Sequence, residues 1–271
     1  MYRLFERGIR GGLTFVNRHQ VQARLPELGN NREGNIHLCY IDENNLYGSS
    51  LCKPLPHSDF TWLSQEDLDY FSNPTHILNL EDEGDWGYLF EVDLDYPSEL
   101  HARTSDFPLA PESGFVDSDM FSPFMTAYYR DLCKERSVSE KYRPTRKLLL
   151  TQYSKQEYVV HYCILKFYLK MGLRLRKVRQ GIRFRQKRWL EPYIKYNSNK
   201  RAHARNSFEK DFYKLKNNAL FGKTMEDVRK RIVYKLVSCE KQLHKLESSP
   251  LYMDRDIFSE DVVGVHMYKS R

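Results

Sequence analysis

The chain has 271 residues, a formal net charge of +7 and a pI near 9.0, with 41% hydrophobic and 29% charged residues. That composition supports a folded core and excludes global disorder, and no stretch approaches the roughly 20 apolar residues of a membrane span. Five cysteines without a C-x-x-C pair, nine histidines without H-x-x-x-H spacing and an N-terminus without an apolar signal core exclude a zinc ribbon and a disulfide scaffold. They predict a reducing, intracellular setting with a polyanionic partner.

Leu13–Val16 reads as a short strand and Asn30–Asn35 as a polar loop. Ile36–Ile41 reads as a buried strand that delivers Asp42 into the turn Glu43–Gly48. Residues 53–86 hold Pro54, Pro56, Pro74 and the acidic run Glu81–Asp85. They read as a solvated loop with one short helix, capped by Ser64 and Asp67. Tyr88–Leu94 is a strand, and Pro97–Ser122 is rich in turns. Lys155–Met171 reads as an amphipathic helix with Val160, Ile164, Phe167 and Met171 inward, with Lys155, Lys166 and Lys170 elsewhere, ended by Gly172.

Arg174–Arg188 alternates basic and apolar residues, which predicts one or two strands with an irregularity at Gly181. Charges on one side of such strands suit a phosphate backbone, with ~4 contacts giving a log–log salt slope near −3 to −4. A helix follows from about Ser198 to Phe221, capped by Asn197 or Ser198. Phe208, Phe212, Leu215 and Ala219 form its expected buried stripe, with Lys210, Lys214, Asn218 and Phe221 opposite. Gly222 is its expected end, and Ile232–Val237 is a further strand.

Two groupings carry chemistry. A carboxylate at a strand tip, followed by turn amides and a tyrosine, suits a metal-bound nucleoside triphosphate. A lone Asp at a strand end is more often a turn residue, and Lys214 on a helix is more often solvated. Asn218 and Phe221 beside Lys214 favour phosphate contact and stacking. Asp93 and Asp95 have the look of a metal pair but read as structural or as a minor ligand.

Asp42-Glu43-Asn44-Asn45-Leu46-Tyr47-Gly48 resembles the first palm motif of the protein-primed family B DNA polymerases, of viral, organellar and Polinton-like type. Lys214 through Gly222 resembles their fingers motif, Lys-x-x-x-Asn-x-x-aromatic-Gly, and Lys223–Glu226 extends it. Arg7–Gly12, Asp106–Glu112 and Trp189–Ile194 agree. The resemblance implies an α+β chain: a partial palm sheet with an inserted subdomain and helical fingers. Its expected divisions are 1–51 (start of palm), 52–147 (insertion gripping a priming protein and DNA), 148–225 (fingers) and 226–271 (start of a second insertion).

It also implies DNA-directed DNA polymerase activity on primer–template DNA and deoxynucleoside triphosphates, with a terminal priming protein as a further partner and no membrane. The expected compartment is the nucleus, a viral replication site or the mitochondrion. Asp42 would bind two Mg2+ ions. Asn44, Asn45 and Leu46 would hold the triphosphate by their amides, and Tyr47 would reject a 2′-hydroxyl. Lys214 would contact phosphates, Asn218 and Phe221 would lie under the nascent base pair, and Lys223, Arg183, Arg185, Lys187 and Arg188 would touch DNA. The family's aromatic-x-Asp-Thr-Asp motif and its exonuclease motifs are missing from the sequence. A palm-and-fingers fragment with little activity alone is therefore expected. The alternatives are a non-catalytic DNA-binding remnant and a metal-dependent nuclease or RNA-binding domain.

Overall fold

A computed structural model describes residues 1–11, 13–16, 20–25, 27, 35–226, 228 and 231–269. Gly12 and residues 30–34, read above, lie outside them. In chain order the elements are α1 (Tyr2–Gly8), α2 (Leu46–Leu51), β1 (Leu55–Trp62), α3 (Gln65–Phe71), α4 (Pro74–Leu78), β2 (Trp86–Asp95), β3 (Glu112–Phe115) and α5 (Pro123–Glu135). Then come β4 (Arg146–Leu149), β5 (Lys155–His161), α6 (Tyr162–Met171), β6 (Arg174–Lys187), α7 (Glu191–Ala202) and α8 (Ser207–Thr224). The chain continues through β7 (Ile232–Val237), α9 (Glu240–Glu247), β8 (Tyr252–Ser259) and β9 (Val262–Tyr268). The fold class is α+β, built on an antiparallel sheet of order β1-β6-β2-β5.

The pleat sorts the core. Leu89, Val159, Ile182 and Phe184 point to one side, where Leu4 and Phe5 of α1 cover them. Phe90, Val92, Val160 and Val178 point to the other, onto α3, α4 and α6 through Phe71, Ile77, Tyr162 and Leu165. Neighbouring residues such as Leu89 and Phe90 thus serve opposite layers, as a period of two requires. The Ser64–Asp67 capping box forms as expected, and Gly172 ends α6 at φ 112°. A smaller sheet, β7-β9-β8, packs Val237, Val265 and Met267 against Leu243 and Leu246 of α9.

Several expectations fail for identifiable reasons. Lys155–His161 is a strand, and the helix begins only at Tyr162. The β-branched pair Val159-Val160 takes the open edge of β2. Ile164 and Phe167 are exposed, while Lys155 and Lys166 are buried. The Lys155 ammonium donates to Glu112 Oε1 (2.6 Å), Thr151 Oγ1 (2.7 Å) and Thr151 O (3.0 Å), which satisfies all three of its protons. β1 lies where a loop was expected, and Pro56 is tolerated there because β1 is an edge strand. β6 is one strand, and its register slips near Arg179 and Arg176 rather than at Gly181. The expected boundary at residue 147 runs through this sheet, which takes β1 and β2 from one side of it and β5 and β6 from the other.

The acidic loop is also more than solvated. Asp82 pairs with Lys166 (2.6 Å), Glu83 with Arg188 (2.5 Å) and Asp85 with Arg185 (3.2 Å). At Asp93, burial raises the carboxyl pKa, but the Arg179 guanidinium and the Glu157 N–H outweigh it and hold the group below its ordinary value. Asp93 is therefore structural, as read.

His161 closes β5 beside Tyr162 and Phe184. Burial lowers its pKa from 6.5 to about 4, against a smaller opposing pull from Asp82. The folded chain keeps this imidazole neutral where the unfolded chain protonates it. Its contribution is complete above pH 6.5 and is lost as pH falls toward 4, at most about 3 kcal/mol. Urea titrations across that range should show the decline, and His161→Phe should flatten it. An unchanged acid slope in the variant would assign the decline to other groups.

Candidate functional site

Residues 37–41 form no strand; residue 36 makes only an isolated bridge with Arg24. Tyr40 and Ile41 are 98% and 82% exposed. An apolar run becomes a strand only when a neighbour takes its backbone groups, and the described residues place none beside it. Asp42 is exposed in this extended segment, with no hydrogen-bond or ion-pair partner among the described residues. The expected rigid strand-tip carboxylate is thus corrected to a solvated one.

Order begins at Asn45. Its left-handed backbone (φ 56°, ψ 41°) turns the chain into α2, a conformation that asparagine tolerates well. The Asn45 side chain folds over Gly48, where any Cβ would overlap its carboxamide. That contact accounts for a buried glycine at the last position of the motif, inside α2. One residue after Leu46, the Tyr47 ring stacks on Phe221 of α8, with centroids 4.2 Å apart and planes at 12°. Leu51 joins Leu190 and Ile194 of α7, and Leu220 and Phe221 pack against them. The two motifs, far apart in sequence, therefore meet in space.

The expected single long helix is two. The break at residues 203–206 is fixed by Asn206, whose side-chain oxygen accepts the Glu209 N–H at 2.8 Å. α8 continues past Gly222 to Thr224. Its packed side carries Asn217, Leu220 and Phe221. Asn45 Nδ2 and Asn217 Nδ2 both donate to Ser198 Oγ, at 3.5 and 3.3 Å. Asn217 and Asn197 are buried, yet Asn217 Oδ1 and both polar atoms of the Asn197 side chain have no partner among the described residues.

Beside this seam lies a cleft of about 410 Å³ lined by Asn45, Ser198, Arg201, Ala202, Ala204 and Lys210. It carries two cations and no carboxylate, which suits phosphate oxygens. Lys214 and Asn218 open instead on an adjacent groove along α8. Arg201 and Lys210 were not singled out as site residues from sequence. Lys210 lies one helical turn before Lys214, so that signal was available. Arg201 required knowing where the helix breaks.

The expected DNA contacts fare unevenly. Arg185 and Arg188 are held by Asp85 and Glu83, and Lys223 by Glu226 at 2.5 Å. Arg183 donates to Thr61 and lies over Trp86, and Lys187 is exposed. Exposed pairs are weak, so phosphates can compete for these side chains. Among the described residues no group of three His, Cys, Asp or Glu stands where it would hold a metal, and no helix is long and apolar enough to cross a membrane. Asp42 alone does not make up the donor set of a two-cation site. The chain matches no protein-family model, no curated protein and no solved structure.

Proposed function

We propose that this chain is the nucleotide-binding palm-and-fingers part of a family B DNA-directed DNA polymerase, acting on primer–template DNA and deoxynucleoside triphosphates. The observation that carries the reading is the stacking of Tyr47 on Phe221, which joins the two motifs into one structure. In this reading the amides of Asn44 to Leu46 and the cations Arg201 and Lys210 hold the triphosphate, and Lys214 reaches it from the neighbouring groove. Tyr47 closes the space a 2′-hydroxyl would need. A primer 3′-hydroxyl attacks the α-phosphate, the bond to the β-phosphate oxygen breaks, and pyrophosphate leaves. Oriented charge supplies most of such catalysis. Asp42 would contribute one carboxylate to Mg2+ binding, and a priming protein would be a further partner.

The non-catalytic DNA-binding reading is favoured by one observation, the solvated and isolated Asp42. Titration with dATP and ATP separates the two. The polymerase reading expects dATP to bind about tenfold or more tighter, by rejection of the hydroxyl, with Tyr47→Ala removing the difference. Failure of both nucleotides to bind, with DNA still bound, leaves the DNA-binding reading. In primer extension with Mg2+ the chain alone is expected to be inactive. Robust extension would refute the inference that Asp42 by itself is insufficient.

A further inference from the structure

We propose that the outward side of α8 is a platform for single-stranded nucleic acid, with bases stacked on Phe208 and Phe212 and phosphates held by the lysines around them. Sequence periodicity put Phe208, Phe212 and Leu215 in the core, but they are 77%, 44% and 63% exposed. The two phenyl rings lie nearly parallel, at 13° with centroids 6.3 Å apart. They line an open groove of about 450 Å³ with Asp211, Lys214, Leu215 and Asn218.

Charge decides what covers such a surface. Much of the β6 charge is matched within the protein, with Arg174 on Glu99, Arg179 on Asp93 and Arg185 on Asp85, and Arg188 just beyond the strand on Glu83, in mostly exposed pairs; Lys177, Arg183 and Lys187 have no acidic partner among the described residues. On the α7–α8 arm, Lys200, Arg201, Lys210, Lys214 and Lys216 have no acidic partner among the described residues. Lys216 lies over the Phe212 ring at 5.0 Å. The arm that carries the exposed rings thus holds more cations without an acidic partner among the described residues than β6 does, although the sequence concentrates its charge on the strand.

Aromatic faces beside unpaired lysines match the requirements of an unstacked strand, because every base offers a π-face and every linkage an anion. A duplex hides its base faces and would leave the rings without a partner. A purely apolar protein surface would desolvate Lys214 without compensation. Asp211 is the one opposing charge in the groove, and it gives the proposal a sharp test. The inference rests on the polymerase reading only for calling the strand a template.

The experiment is the fluorescence anisotropy of a labelled oligothymidylate, with dATP binding measured in parallel. The Phe208→Ala/Phe212→Ala double variant should lose at least about tenfold in oligothymidylate affinity, while its dATP affinity is unchanged. The corresponding Trp double variant should retain binding. Asp211→Asn should tighten binding and steepen its salt dependence. The variants change exposed side chains, so thermal melting should be unaltered. Undiminished oligothymidylate binding by the alanine variant overturns the proposal. So does a self-association of the wild-type chain in sedimentation that the same variant abolishes, since a second copy then covers the rings. Binding of dATP without oligothymidylate sinks this proposal alone. Binding of oligothymidylate without dATP leaves it standing and sinks the polymerase reading.

Discussion

Lys210→Ala is expected to lower deoxynucleoside triphosphate affinity about 10- to 100-fold, the scale of a lost charge-assisted hydrogen bond to phosphate. It should barely alter the affinity for the unphosphorylated nucleoside. Lys210 shares a cleft with Asn45 and Arg201, has no acidic partner among the described residues and is exposed. Its removal therefore costs the ligand and not the fold. Lys214→Ala should act in the same direction, since Lys214 lies one helical turn further along α8. Phe221→Ala should behave differently. It removes the ring that Tyr47 stacks on and loosens α2 from α8, so nucleoside and triphosphate should weaken together. Isothermal titration with dATP and deoxyadenosine measures all three. Equal losses for both ligands in Lys210→Ala would place the phosphates elsewhere.

The contrast between these residues shows where the sequence was legible. Motif spacing pointed to Tyr47 and Phe221, and the structure brings them together, because a seven-residue motif and a helical register are local properties. The capping box at Ser64 and the αL stop at Gly172 were equally local. The errors are non-local. Residues 37–41 have strand composition but no strand neighbour among the described residues, and β5 has helical spacing but an open sheet edge to join. Phe208, Phe212 and Leu215 recur at helical spacing, which says that a helix has an apolar side but not which side faces the protein. The packed side of α8 was set by Asn217, a polar residue that periodicity counts as outward. Charge misled in the same way: the run of arginines in β6 is conspicuous in sequence, but its counterions lie about a hundred positions earlier, in the loop before β2.

The deepest point of the main sheet predicts the largest loss of stability. Phe90 is fully buried at the centre of β2, edge-on to Phe71 (5.1 Å, 66°) and pairing across the sheet with Gly181. Phe90→Ala should cost about 3–5 kcal/mol, the range for a buried phenyl group whose cavity cannot collapse. Gly181→Ala should also destabilise, by about 1–3 kcal/mol of overpacking, because a Cβ there would stand 2.6 Å from Leu63 Cδ1 and 3.1 Å from Phe90 Cδ1. The two effects share one space, so they should not add. In the Phe90→Ala background the Gly181→Ala cost should shrink, since one of three close contacts is gone and Leu63 gains room to move, while the Leu89 carbonyl oxygen at 3.2 Å stays. Urea unfolding with an unchanged denaturant slope measures this directly. Strict additivity would mean that Leu63, not Phe90, is what keeps position 181 a glycine. α7 starts four residues after β6 ends, so the same titration read by dATP binding should follow global unfolding of the sheet. Loss of dATP binding ahead of the sheet would show that the α7–α8 arm carrying Lys210 and Phe221 unfolds on its own.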